Sequence, residues 1–382
     1  MSSLSENANE LQRALEKMPH GADIWSCSEI TGRPLSSLLD FSANINPFVP
    51  RTVLREAVMK ALDSMDQYPD PRAARFQKQL SEKLQLSPAS IILGNGAADL
   101  IFRLAASLCL ELSLQHEAKL LLPIPSFSEY REAFQSAGFQ IFEYPLRMQE
   151  HYQVDEAFLP FMESISPQIL ILCEPNNPTG QLTPPELFEK ILLTAEKTGS
   201  IVLLDLSFLE FLPLSIQKER QSAIRKSKAR ILQLHSFTKF YAIPGLRLGF
   251  MEADDERLCE RLKSMSPPWQ ISTPAMAAGM AALHFSEVEK EQWRQKIEDE
   301  KKLMLRQLRA SGADFLSGEA NFIFFHHPDE KLQLRLLKES ETPCLIRSCA
   351  NYPGLSSGFY RIGIQSPDKN RILRASLQKL YP

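Results

Sequence analysis

The segment His235-Ser236-Phe237-Thr238-Lys239-Phe240-Tyr241-Ala242-Ile243-Pro244-Gly245-Leu246-Arg247 sets a hydroxyl, an amine and a guanidinium close together, directly after the apolar run Ile231-Leu232-Gln233-Leu234. An amine condenses with an aldehyde, and a hydroxyl with a guanidinium holds a dianion. The cofactor that needs both is pyridoxal phosphate, which carries an aldehyde and a phosphate on one ring. Lys239 is the candidate for the aldehyde, and Ser236 with Arg247 for the phosphate. S-x-x-K by itself is common among surface lysines, so the context has to carry the argument. Residues 245–250 read as a further strand, which sets Lys239 in a loop at a strand end, where α/β enzymes place their chemistry.

Three more positions at strand ends come earlier in the chain. Gly94-Asn95-Gly96-Ala97-Ala98 joins a strand to a helix, and small residues at a helix start suit an anion. Asn176-Asn177-Pro178-Thr179-Gly180 follows an apolar strand and is also a good β-turn sequence in its own right. Asp205 closes the run Ile201-Val202-Leu203-Leu204, where a carboxylate is costly to bury without a cationic or hydrogen-bonding partner. A pyridinium nitrogen is such a partner. Asp205 would keep the ring protonated as an electron sink, and Asn177 would donate to its O3′.

The elements that must position these groups alternate. Strands are expected at 91–93, 119–122, 168–173, 201–205 and 231–234, with helices between them. On the helix after Gly96, the residues Leu100, Ile101, Leu104, Ala105 and Leu108 share one face. Ser126-Phe127-Ser128-Glu129 reads as a capping box for a helix ended by Gly138, and Thr183-Pro184 as the cap of a helix closed by Gly199. Near-continuous apolar strands alternating with helices imply an α/β fold with a mostly parallel sheet covered on both faces. Earlier, helices are expected at 10–18, 53–62 and 76–86, and Asn44 and Asn46 before Pro47 read as an ordered turn. From Thr273 the helices lengthen, and 321–326, 344–349 and 359–364 read as strands of a smaller α+β unit. The expected division is 1–45 as an N-terminal arm of the small domain, 46–272 as the large cofactor domain and 273–382 as the small C-terminal domain.

Composition bounds the class. With 382 residues, 44% hydrophobic and 23% charged, the chain can bury a large core. A net charge of −3, with acids and bases interspersed, gives no surface for nucleic acid or membrane. Six cysteines without a C-x-x-C pair fit a reducing compartment, and residues 1–17 are polar, with no apolar leader. The expectation is a cytoplasmic enzyme that takes small molecules, holds no metal and shows no internal repeat.

These stretches resemble the pyridoxal-phosphate-dependent aminotransferase superfamily, class I/II, fold type I. Within it the chain is similar to the threonine-phosphate decarboxylases of cobalamin biosynthesis, with histidinol-phosphate aminotransferases next to them. The likeness runs from about His20 to the C-terminus. It is carried by His20-Gly21, by Asp40-Phe41-Ser42-Ala43-Asn44-Ile45-Asn46-Pro47, by the segment around Lys239, and by Leu345-Ile346-Arg347-Ser348-Cys349-Ala350-Asn351-Tyr352-Pro353-Gly354-Leu355.

The resemblance implies a set of roles. Lys239 binds the cofactor aldehyde, Asp205 the ring nitrogen and Asn177 O3′. Gly96, the amides of Ala97 and Ala98, Ser236 and Arg247 hold the phosphate, and Phe127 stacks on the ring. Tyr68 reaches the phosphate of the other subunit in a homodimer with shared active sites. Phe208 stands where most aminotransferases have a tyrosine that donates to O3′, and the decarboxylases also have phenylalanine there. Leu206 replaces a usual glutamate, and strand alternation turns it away from the face of Asp205.

The resemblance also implies a small phosphorylated amino acid as substrate, with His20, Gly21, Asn44, Asn177, Arg347 and Arg361 as its binding residues. Which arginine takes phosphate and which takes carboxylate stays open, as does threonine phosphate against serine phosphate. Decarboxylation, transamination of histidinol phosphate, and a non-catalytic binding module are the readings to separate. Lys239 and Asp205, both present, argue against the last.

Overall fold

The near-continuous apolar runs form one seven-stranded sheet in the computed structural model, which describes residues 2–112 and 118–382. The strand order is Ile91–Gly94, Gly249–Ala253, Arg230–Ser236, Ile201–Asp205, Ile169–Cys173, Lys119–Ile124, Gln140–Pro145. Pairing is parallel from Arg230–Ser236 to Gln140–Pro145, and Gly249–Ala253 runs antiparallel to both of its neighbours. Every residue of Ile91–Gly94, Ile169–Cys173 and Ile201–Asp205 is buried, as strands covered on both faces must be. The fold is α/β with a mostly parallel sheet. Helix Ala97–Leu112 lays Leu100, Ile101, Leu104, Ala105 and Leu108 on this core at 0% exposure. Burying each such leucine or isoleucine stabilises the fold by about 1.5–3 kcal/mol.

This sheet belongs to a larger unit, Val49–Asn176 with Leu182–Gln292. The smaller unit is Met1–Phe48 with Asn177–Gln181 and Trp293–Pro382. The division after the large unit, expected at 272, lies at Gln292, because helix Thr273–Leu283 packs on Arg51–Ala61 and Ala74–Leu84. In the smaller unit, Arg347–Ser348, Phe359–Gly363, Phe322–His326 and Phe315–Ser317 form an antiparallel sheet in that order. Leu39–Asp40 pairs in parallel with Cys344–Leu345. Helix Ser2–Glu16 is longer at its start than the expected 10–18, and Leu15 joins Met18, Cys27, Leu38, Leu334, Leu337 and Leu345 in a small core. Met1, the first residue of the polar start, lies outside the described residues.

Local expectations fail at five places. Residues 245–250 are not one strand: Pro244–Leu246 is a 3-10 turn, Arg247 adopts φ 56°, and the strand begins at Gly249. Lys239 is not in a loop but on the single-turn helix Phe237–Phe240, capped by Ser236 Oγ, which accepts from the Thr238 amide at 3.2 Å. The capping box fails because the N-cap of Ser128–Ser136 is Phe127, one residue later than Ser126, and its ring has no acceptor. Thr183 does not cap Pro185–Thr198; Pro184 holds that position, and the Thr183 hydroxyl donates to Glu174 instead. The stretch 344–349 splits after Leu345, so Cys344–Leu345 and Arg347–Ser348 serve different sheets.

Candidate active site

Asp205 ends a central strand and is 4% exposed, where an ionised carboxylate needs donors. Tyr130 Oη donates to its Oδ2 at 2.6 Å, the Ser207 amide donates to Oδ1 at 2.9 Å, and Lys239 adds an attractive charge. Burial outweighs these and pushes the Asp205 carboxyl above the usual carboxylate range. A carboxyl held in that way gains from a further cation or N–H beside it, which is what a protonated ring nitrogen offers. Lys239 itself is half-buried.

The phosphate cradle expected around Gly96 can be traced through strand register. Gly94, Gly249 and Ser236 form one row across three neighbouring strands, so the glycine loop and the Ser236 hydroxyl share a sheet end roughly 10 Å apart. Helix Ala97–Leu112 starts there, and the first amides of a helix have no partner within it. Gly96 has φ 83°, and a Cβ on it would collide with the Arg247 guanidinium. A Cβ on Gly249 would stand 3.1 Å from the Ala97 amide nitrogen. Bare backbone at these two positions therefore lets a guanidinium and helix-terminal amides converge, which is the donor set a phosphate dianion fits.

Phe127 is half-buried and packs on the core beside this end, its ring edge-on to Tyr130 at 5.5 Å between centroids. Phe208 is buried at 4% and caps the turn Leu209–Phe211. Leu206 is buried and lines a cavity of about 710 Å³ with Phe237 and Phe250. Tyr68 is 81% exposed, its ring 4.9 Å from that of Trp269.

In the smaller unit the expected substrate residues gather around two buried arginines. Arg361, 5% exposed, donates through Nη1 to Asn177 Oδ1 and through Nη2 to the Ser42 carbonyl at 3.0 Å. Arg347, 3% exposed, donates to the carbonyls of Met18 at 2.5 Å and Pro19 at 2.9 Å, and to Asn351 Oδ1 at 2.8 Å. Among the described residues neither guanidinium meets a carboxylate, and each leaves its Nε buried without an acceptor. Asn44, also buried, leaves Oδ1 without a donor. Gly21 lies so close to Arg361 and the Ser42 carbonyl that a Cβ there would strike both. His20 is exposed and follows the Met18-Pro19 pair that Arg347 holds. The Asn177 amide turns its oxygen to Arg361.

Several residues of this arrangement had no role in the sequence reading. Tyr130 is one, and its signal was a polar tip on the buried side of a helix, three positions after Phe127. Ser42 is another: Asp40 Oδ1 accepts from the Ser42 amide at 2.7 Å, an Asx turn visible as Asp-x-Ser. Tyr352 lies with its ring 5.5 Å from the Arg347 guanidinium. Burial pushes its hydroxyl pKa up, against the pull of both arginines.

The family model described as aminotransferase class I and II matches residues 36–377. A threonine-phosphate decarboxylase of Salmonella typhimurium is 32% identical over 371 residues, spanning 96% of this chain and 98% of its own. A histidinol-phosphate aminotransferase of Carboxydothermus hydrogenoformans is 29% identical over 90% of this chain and 93% of its own. Among solved structures, the histidinol-phosphate aminotransferase from Clostridium acetobutylicum superposes with a TM-score of 0.78 at 28% identity, covering 90% of this chain and 99% of that one.

Proposed function

The chain belongs to the aminotransferase class I and II family, and from that premise we propose that it decarboxylates L-threonine O-3-phosphate to 1-amino-2-propanol phosphate for the cobamide nucleotide loop. It is an enzyme, and its cofactor is pyridoxal 5′-phosphate. The observation that carries the substrate reading is the pair of buried arginines without a carboxylate partner. Two uncompensated cations are costly to bury, and a substrate that brings both a phosphate and a carboxylate would relieve both.

When bound, the cofactor supplies an aldehyde for the substrate amine and a ring that receives the electron pair of the broken bond. The protein selects the bond. Only a bond perpendicular to the ring overlaps its π-system, so the anion-holding residues must stand the Cα–carboxylate bond upright. Arg361, oriented by Asn177 and the Ser42 carbonyl, would serve as one anchor. Arg347 acts through the Met18-Pro19 backbone that leads to His20, and offers its Nε. Asp205 keeps the ring nitrogen protonated. Lys239 Nζ would hold the cofactor aldehyde, and it would be the group to supply the proton that takes the place of the lost carboxylate at Cα.

Transamination of histidinol phosphate is the second reading, favoured by the Clostridium structure at 28% identity. Phe208 weighs against it, because this chain lacks the tyrosine that most aminotransferases direct at O3′. The test is incubation with L-threonine O-3-phosphate, L-serine O-phosphate and L-histidinol phosphate in turn, each with and without 2-oxoglutarate. Carbon dioxide and an amine phosphate from the first, without 2-oxoglutarate, is the expected result. Conversion of 2-oxoglutarate to glutamate with histidinol phosphate, and no carbon dioxide from the others, would overturn it. One methyl distinguishes the two phosphoamino acids, so a preference of only about 10–200-fold is expected between them.

A further inference from the structure

Tyr130 is 1% exposed on helix Ser128–Ser136, and its hydroxyl reaches across to Asp205 Oδ2 at 2.6 Å. The Ser207 amide takes the other oxygen, Oδ1, at 2.9 Å. Donors on both oxygens fix the plane of a carboxylate that one donor would leave free to turn about Cβ–Cγ. They also leave unused lone pairs on each oxygen, in directions set by the two donors. Phenylalanine would fill the same space at position 130, so the hydroxyl is there for the carboxylate.

We propose that Tyr130 is a positioning residue for the cofactor: it aims the Asp205 carboxylate and carries part of its charge, so that the ring nitrogen meets that carboxylate at a set angle and proton affinity. The inference rests on the cofactor assignment and not on the identity of the substrate. Burial pushes the Tyr130 hydroxyl well above its ordinary pKa, with the Asp205 charge adding to the effect, so it stays a donor at any working pH. At Asp205 the direction is set by burial, which raises proton affinity, while Ser207, Tyr130 and Lys239 oppose it. The titratable groups facing the pair are the Cys173 thiol on the adjacent strand, the Tyr130 hydroxyl and the Lys239 ammonium. Loss of the Tyr130 hydroxyl removes one opposing contact and leaves Cys173 and Lys239 in place. Asp205 should then hold its proton more tightly, and its ring partner less strictly.

The test compares Tyr130→Phe with wild type as full-length protein freed of cofactor, using infrared absorbance of the protonated carboxyl group. Asp205→Asn identifies the band by deleting it. A hydrogen bond to a charged group changes an equilibrium by about tenfold or more, so the Asp205 midpoint should rise by about one pH unit in Tyr130→Phe. On reloading with pyridoxal phosphate, the dissociation constant should rise about tenfold, and the pH midpoint of the cofactor's visible absorbance should move. Both midpoints unchanged, in a variant that melts at the wild-type temperature, would make Tyr130 a packing residue and overturn the proposal. Wild-type protein that takes up no pyridoxal phosphate would instead refute the cofactor assignment, with the infrared result still judging Tyr130.

Discussion

Arg347 and Arg361 are register partners, directly opposite each other in the antiparallel strands Arg347–Ser348 and Phe359–Gly363. Like charges so placed destabilise a sheet, and here neutral carbonyl and amide oxygens are their hydrogen-bond acceptors. An anionic ligand would offset what those acceptors cannot, which would make binding and stability interdependent.

The two arginines should separate on mutation. Arg361→Ala removes the proposed anchor and should cost at least about 1.5–3 kcal/mol in kcat/KM, with Cα proton exchange rising relative to decarboxylation. Arg347→Ala also releases the Met18 and Pro19 carbonyls, so it should lower the melting temperature as well. The measurement is the ratio of carbon dioxide released to Cα deuterium washed out from threonine phosphate. A ratio unchanged in both variants would mean that neither arginine orients the substrate.

Lys239→Ala should abolish the visible absorbance of lysine-bound cofactor. Asp205→Ala should keep some cofactor but lose turnover by a factor on the order of 10²–10³, the usual cost of one electrostatic contact in a water-poor site. Absorbance titration and single-turnover rates check both, and wild-type turnover in Asp205→Ala would reduce that residue to a structural one.

His235 should make the protein acid-sensitive. Its ring stacks on Phe250 at 4.5 Å, its Nε2 is buried without a partner, and burial lowers its pKa to about 4. A base with a depressed folded pKa contributes stability above its unfolded pKa of about 6.5, and loses it as pH falls towards 4. Between pH 7 and 4.5 this group alone should cost about 2–3 kcal/mol. Urea unfolding of the cofactor-free chain should show His235→Phe losing that much less than wild type over the interval. Equal losses would clear His235 of the effect.

A homodimer is expected from the stretch that holds Val53, Met59, Leu62, Met65 and Tyr68, all exposed large hydrophobics, with Trp269 against Tyr68. Sedimentation at assay concentration should give twice the mass of the chain, and Met65→Glu should weaken the association. A fully active monomer would contradict the shared site in which Tyr68 serves its neighbour.

What the sequence made legible was what burial writes locally. Ile201–Asp205 is apolar until its last residue because both faces of the strand are covered, so strand and carboxylate announce themselves together. Residues 245–250 misled because Gly-Leu-Arg-Leu-Gly-Phe alternates as a strand does, whereas the turn that starts at Pro244 and the left-handed Arg247 decide the conformation. The break at Ile346 was invisible because it follows from a change of strand partner, from Leu39–Asp40 to Phe359–Gly363, which no local pattern encodes. Tyr130 was missed for the same reason: its partner lies 75 positions away.

The smaller unit draws on both ends of the chain, and this shapes how a ribosome can deliver the protein. Leu15 packs with Met18, Cys27 and Leu38, which are made early, and with Leu334, Leu337 and Leu345, which are made late. Over the roughly three hundred residues between them, synthesis at about 5–20 residues per second takes on the order of 15–60 s. During that time the first helix has its early neighbour Ile24–Thr31 but still lacks Leu332–Lys338, its partner from the far end of the chain. This small core is thus left half-covered, and open to chaperones and to neighbours on the polysome, until residues 334–345 emerge.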